Sequence, residues 1–175
     1  MMKRPDQIKD APDLGVDSRV PPGQFLTTKF PVLTYGSAPK VDLATWRFRV
    51  FGLVEQEIEL DWAGFANLGW TTITADFHCV TQWSALDNTW DGITLSRLVA
   101  MAQPKAEANF IMAHCFGGYT TNLPLDLALE EGFLAHKQDG EELGEGHGWP
   151  LRLIVPSRYA WKSAKWLNGI ELKAE

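Results

Sequence analysis

The chain has 175 residues, enough for one domain with a sizeable core, and its 45% hydrophobic and 22% charged residues are ordinary for a globular protein. A net charge of −6 argues against a general nucleic-acid binder, which needs a basic face. No apolar run reaches the roughly 18 residues of a membrane span, the basic N-terminus has no apolar core behind it, and two cysteines without a signal read as free thiols, so the expected compartment is the cytoplasm.

Residues 1–23 are polar and proline-containing, without a period, and read as a flexible arm ending at Pro21-Pro22-Gly23; residues 24–175 read as a single domain. In 24–39, Pro31 and Pro39 exclude a regular central strand, leaving an extended segment whose aromatics give it a reason to dock. Residues 46–54 alternate, with Trp46, Phe48 and Val50 on one face and Arg47 and Arg49 on the other, which predicts a half-buried strand with a bend at Gly52 and a short partner at 58–60. Asp61 caps a predicted short helix over 62–68, ended by Gly69. The β-branched run 71–75 predicts a strand leading straight into Asp76 and Cys79. Thr94 caps a helix with the apolar stripe Leu95, Leu98, Val99 and Ala102, stopped by Pro104. A strand at 109–113, a turn at Gly117-Gly118, a helix over 125–131 ended by Gly132, and a hairpin at Asp139-Gly140 follow. The remainder is a glycine-rich loop at 142–148, a strand at 151–155 and a last strand at 164–172. Short strands mixed with short helices, without a βαβ rhythm, define an α+β fold.

The chemistry concentrates in two stretches. The first, DFHCVTQWSALDNTWDG (76–92), carries Cys79 where a strand meets a loop, with His78 beside it and Trp83 and Trp90 after it. A free cysteine is most often a buried small hydrophobe; it is also a soft metal ligand and a nucleophile. His-Cys occurs again as His114-Cys115. A four-ligand zinc site is disfavoured, because adjacent residues in a strand point to opposite faces. A cysteine-nucleophile enzyme needs a histidine on Cys79, and nothing local selects among His78, His114 and His147. The second stretch, 150–165, holds Arg152, Arg158, Lys162 and Lys165 and no acidic residue. Charge runs are usually solvated faces, but here cations alternate with core-type residues, and an Arg–Lys pair at a core edge suits a phosphate, with Ser163 adding donors. Trp83 and Trp90 are read either as pocket walls or as core.

The motifs HCVTQWS with the following Trp90-x-Gly92, GYTTNLPL, HGWPLRLIVPSRYAWKSAKWL and the N-terminal RVPPGQFLTTKFPVLTYG together resemble the sulfite oxidase superfamily, and within it the small bacterial oxidoreductase molybdopterin-binding domain proteins. The resemblance covers about Arg19 to Leu172 and implies the sulfite oxidase fold, mixed β-sheets with short helices. It implies a molybdenum-dependent oxidoreductase with one molybdopterin in its mononucleotide-free form. The family's molybdenum-ligating cysteine falls on Cys79 and its phosphate-binding arginine on Arg152. Its other cofactor contacts fall on His147, on Ser163, Ala164 and Lys165, and on Leu33 and Thr34; His78 is a further candidate, and Cys115 stands where sulfoxide-reducing relatives have threonine. Where sulfite-oxidising members have an arginine soon after the cysteine, this chain has Thr81-Gln82-Trp83, and 175 residues leave no room for their C-terminal dimerisation domain. The implied reaction is oxygen-atom transfer or two-electron redox of a small substrate, more sulfoxide-reductase-like than sulfite-oxidising. Lacking a haem-attachment motif or a cysteine cluster, the chain is expected to use a separate electron-transfer partner. The rival expectations are a non-catalytic zinc- or thiol-binding domain and a cysteine-nucleophile enzyme.

Overall fold

The computed structural model describes residues 19–34 and 36–175. In chain order its strands are β1 (Phe25–Leu26), β2 (Arg47–Gly52), β3 (Ile58–Asp61), β4 (Thr71–Cys79), β5 (Trp83–Thr94), β6 (Phe110–Cys115), β7 (Thr120–Pro124), β8 (Phe133–Gln138), β9 (Glu141–Glu142), β10 (Arg152–Ile154) and β11 (Leu167–Lys173). The helices are α1 (Trp62–Ala66), α2 (Leu95–Ala102) and α3 (Leu125–Glu131). One sheet runs β1-β5-β8-β10, with β4 also on β5 and β9 on β8; the other runs β3-β2-β11-β6-β7. Both are mixed: β1 joins β5 in parallel and β11 joins β2 in parallel, while the other pairs are antiparallel. This is the expected α+β arrangement of mixed sheets and short helices.

The local chemistry explains the elements. Alternation buries Trp46, Phe48 and Val50 completely and leaves Arg47 and Arg49 outside. The Asp61 carboxylate accepts from the Gly64 amide at 2.7 Å and starts α1. The α2 stripe Leu95, Leu98, Val99 and Ala102 is buried as its spacing requires. Thr94 holds the N-cap position, but its hydroxyl accepts from Ser96 instead of capping a backbone amide. Asp139 (φ 51) and Gly140 (φ 82) take the left-handed pair of conformations that a tight hairpin needs.

Two strands depart from the sequence reading. β5 was not expected, because Ser84, Asp87 and Asn88 interrupt its apolar run; Asp87 is left-handed (φ 56), and the β4–β5 register shifts between Ala75 and Phe77. β7 carries its alternation on only Thr121 and Leu123, too short a pattern to mark a strand in the sequence. Of the expected arm, residues 1–18 lie outside the described residues; at its end the Arg19 guanidinium bridges Asp76 and Asp87 on the surface.

Gly92 is where β5 meets β8 most closely: a Cβ there would stand 1.9 Å from the Leu134 carbonyl oxygen. We expect Gly92→Ala to cost about 3 kcal/mol or more, since rigid backbone must move; urea unfolding of the purified variant checks this.

Candidate functional site

The site is gathered from both ends of the β4–β5 ladder. Cys79 pairs with Trp83 at one end, whereas Arg152, at the start of β10, is level with Ala135 of β8 and Gly92 near the other end. The long Arg152 side chain closes the gap, its guanidinium 5.0 Å from the ring centroid of Phe77, and Cys79, Trp83 and Arg152 all line one cavity of about 680 Å³. The extended segment 30–34 forms another wall. Its Phe30 ring packs against Phe77, Trp83, Trp90 and His147, with centroids between 4.8 and 5.9 Å. The β6–β7 turn contributes Tyr119, whose hydroxyl donates to the Trp161 carbonyl at 2.7 Å and so fixes the short 3-10 turn Ala160–Lys162 to the rim.

Cys79 is buried at 5% exposure on this cavity wall. Its carbonyl accepts from the Gln82 amide at 3.0 Å and from Gln24 Nε2 at 3.0 Å, and Thr81 Oγ1 donates to its sulfur at 3.1 Å.

Arg152 is almost fully buried, with no carboxylate beside it. Its terminal nitrogens donate to the carbonyls of His147 and Ser163, both at 3.0 Å, and its Nε has no partner. The guanidinium lies 5.0 Å from the Phe77 ring centroid and 5.9 Å from those of Phe30 and Trp90, so aromatic faces partly offset the charge. Burial pushes Arg152 down to about 9. Burial and then the repulsion of Arg152 push Lys165 down to about 8. The Lys165 ammonium donates to the carbonyls of Leu33 and Gly146 and to the Thr34 hydroxyl, each at 2.8 Å, tying the 30–34 segment to the glycine loop. Burial, with Arg152 and Lys165, lowers His147 and keeps it neutral at pH 7. Gly148, at φ 109, lets this loop pass, for a Cβ there would sit 3.0 Å from Lys165 Cβ and 3.1 Å from Arg152 Cβ.

Of the residues singled out from sequence, Cys79, Leu33, Thr34, His147, Arg152, Ser163, Ala164 and Lys165 all line the cavity. Ser163 acts as a brace: its hydroxyl accepts from the Val155 amide at 3.0 Å. His78 and Cys115 lie off the cavity wall. His78 sits on the opposite face of β4 from Cys79, its Nδ1 2.8 Å from Ser84 Oγ. Cys115 packs in the aliphatic core, where burial pushes its thiol up to about 12. Trp83 is a wall, whereas Trp90 is fully buried behind Arg152. Thr81, Tyr119 and Trp161 were not singled out for the site; what recruits them is the turn after β4 and the β6–β7 hairpin, neither visible as a motif.

The donor set fits a phosphate-bearing, sulfur-rich cofactor: a buried thiol for a soft metal, and one buried and one half-buried cation with no counter-anion for a phosphate. No acidic residue lines the cavity. Among the described residues, no three His, Cys, Asp or Glu side chains converge to hold a metal, so a zinc site finds no ligand set there.

Comparison with known proteins agrees. The model of the oxidoreductase molybdopterin binding domain matches residues 35–175. The uncharacterized oxidoreductase YuiH of Bacillus subtilis is 43% identical over 159 residues, covering 90% of this chain and 80% of that protein. An NADPH nitrate reductase of Beauveria bassiana is 33% identical over 97 residues, 49% of this chain and 10% of the enzyme. The crystal structure of the sulfane dehydrogenase SoxCD from Paracoccus pantotrophus shares the fold, with a TM-score of 0.71 and 23% identity over 79% of this chain and 40% of that one.

Sulfate, whose charge is constant across neutral and alkaline pH, probes the cation pair. In the anion-free protein the unfolded chain binds more protons than the folded one between about 8 and 10.5, so Lys165 makes stability rise with pH across that window. An anion favours the protonated ammonium. The melting-temperature gain from sulfate is therefore expected to be largest below pH 8 and to shrink above it; Lys165→Met should move the onset of that decline up towards pH 9, where Arg152 takes it over, in thermal melts.

Proposed function

The chain belongs to the oxidoreductase molybdopterin binding domain family and is a molybdopterin-dependent oxidoreductase; from that premise we propose that Cys79 is the protein ligand of molybdenum and that the reaction transfers an oxygen atom to or from a small substrate. We place it closer to sulfoxide reduction than to sulfite oxidation. The observation that carries this reading is the buried Cys79 thiol on the same cavity as the uncompensated Arg152–Lys165 pair.

In this reading Arg152 and Lys165 hold the pterin phosphate, the 163–164 backbone and the Leu33–Thr34 edge enclose it, and neutral His147 contacts the pterin. When bound, the cofactor supplies two-electron redox and oxygen-atom exchange at molybdenum. The chain's own contribution is to anchor the metal, orient the pterin and shape the mouth. The cations on the wall are Arg152 and Lys165, both assigned to the phosphate, which leaves none to hold a sulfite ion beside Cys79. Exposed apolar side chains at the mouth, Leu33, Val80, Tyr119 and Trp161, suit a neutral organic substrate. A separate electron carrier is part of the proposal, since two cysteines, one given to molybdenum, supply no second redox cluster in this chain. So is a cytoplasmic location, supported by both thiols being unpaired.

The test is molybdenum analysis and oxidised-pterin fluorescence on protein made in a molybdopterin-competent host. Near one of each per chain is expected. Cys79→Ala should leave activity at background, and Arg152→Met should lower pterin occupancy roughly ten- to a hundredfold. With a reduced dye as donor, an organic sulfoxide should turn over, while nitrate should not; with an oxidising dye, sulfite should not. Zinc without pterin would sink the reading, and sulfite turnover would overturn the substrate assignment.

A further inference from the structure

Thr81 has a role that the cofactor assignment leaves unexplained. The chain turns back between β4 and β5 through Cys79, Val80, Thr81 and Gln82. Both lone pairs of the Cys79 carbonyl are occupied, by the Gln82 amide and by Gln24 Nε2, each at 3.0 Å. Gln24 is itself held, its Oε1 accepting from the hydroxyl of Ser84, which is fully buried. The next residue, Phe25, donates its amide to the Gln82 carbonyl at 3.0 Å. Gln82 takes the left-handed conformation, φ 72, that closes the turn. Held from both sides, the turn sends the Thr81 side chain back over Cys79, with Oγ1 at 3.1 Å from Sγ. A thiolate accepts and cannot donate, so the hydroxyl must be the donor. The β-branch of threonine restricts its rotamer and keeps the hydroxyl in place.

We propose that Thr81 is a positioning residue for the Cys79 sulfur: its hydrogen bond draws charge from the thiolate, weakens the sulfur's donation to molybdenum and raises the metal's reduction potential. This rests on Cys79 being the ligand. Hydrogen bonds to ligating sulfurs are a general lever on metal potentials. Here the lever is the side chain of the residue two positions after the ligand, held by a turn that Gln24 and β1 brace from outside.

Thr81→Val removes the hydroxyl and keeps the shape; Thr81→Ser keeps the donor. The measurements are molybdenum per chain, the energy of the sulfur-to-molybdenum charge-transfer band and the midpoint potential of the loaded protein. Thr81→Val should load metal as wild type does, with the band moved to lower energy and the potential lowered, and Thr81→Ser should return both towards wild type. A Thr81→Val protein with wild-type band and potential overturns the proposal. A band indifferent to Cys79→Ser sinks instead the ligand assignment beneath it. Should Thr81→Val fail to load, the apoprotein decides, by the rate of Cys79 alkylation at neutral pH followed on its own peptide. Loss of one hydrogen bond to the thiolate is expected to slow it roughly fivefold, and an unchanged rate overturns the proposal.

Discussion

A guanidinium buried without an anion is the constraint on which this structure turns. Taking an ion out of water costs several kcal/mol even after the protein relaxes, and Arg152 recovers part of that from two carbonyls and three aromatic faces. The remainder is an unmet demand for negative charge, sharpened by Lys165 nearby. A fold does not retain such a pair for stability alone, since an apolar residue of similar volume would pack there at lower cost. The surroundings follow from it. The glycine loop must pass close, the Phe30 segment must cover the ring cluster beneath the guanidinium, and Ser163 must turn its carbonyl inward.

The same constraint explains why the sheet is built as it is. A buried guanidinium and a thiol face one cavity although 73 residues of sequence separate Cys79 from Arg152. The length of the arginine side chain achieves this: the Arg152 backbone is level with Gly92 across β8, but its guanidinium reaches to 5.0 Å from the ring centroid of Phe77, two residues before Cys79. Cys79 and Arg152 both stand on backbone fixed by ladder hydrogen bonds. Rigid backbone suits the ligand role proposed for Cys79, for small errors of placement are costly. The walls made of loops are secured separately: Lys165 laces the 30–34 segment to Gly146, and Tyr119 laces the β6–β7 turn to Trp161.

Much of this was legible in the sequence, and the boundary is physical. Strand β2 and helix α2 were readable because one buried face leaves a regular period, and helix α3 from the glycine that ends it. Cys79, Arg152 and Lys165 were readable because thiols and acid-free basic runs are uncommon in a chain of net charge −6. Strand β5 was not, because a central strand with consecutive buried residues at Trp83, Ser84 and Ala85 and a left-handed Asp87 loses its alternation. Nor was the place of Thr81, which depends on a turn clamped by Gln24 from 55 residues away. Local pattern records which face of an element is buried; it does not record which distant elements meet.

The two His-Cys dipeptides make the point at single-residue scale. They look alike in sequence and lie on strands, so each must split its two side chains between faces. In β4 the split turns Cys79 to the cavity and gives His78 to Ser84 on the other face. In β6 it turns Cys115 into the aliphatic core and sends His114 outward to Glu171, 2.9 Å away. Neither dipeptide offers two ligands to one ion, which removes the simplest zinc geometry. Burial pushes the Cys115 thiol up to about 12, and in the core it packs as a small apolar residue. The two positions differ in their surroundings: Cys79 lines the cavity with the Thr81 hydroxyl 3.1 Å from its sulfur, whereas Cys115 packs in the core and the residue two positions on, Gly117, has no side chain to offer it.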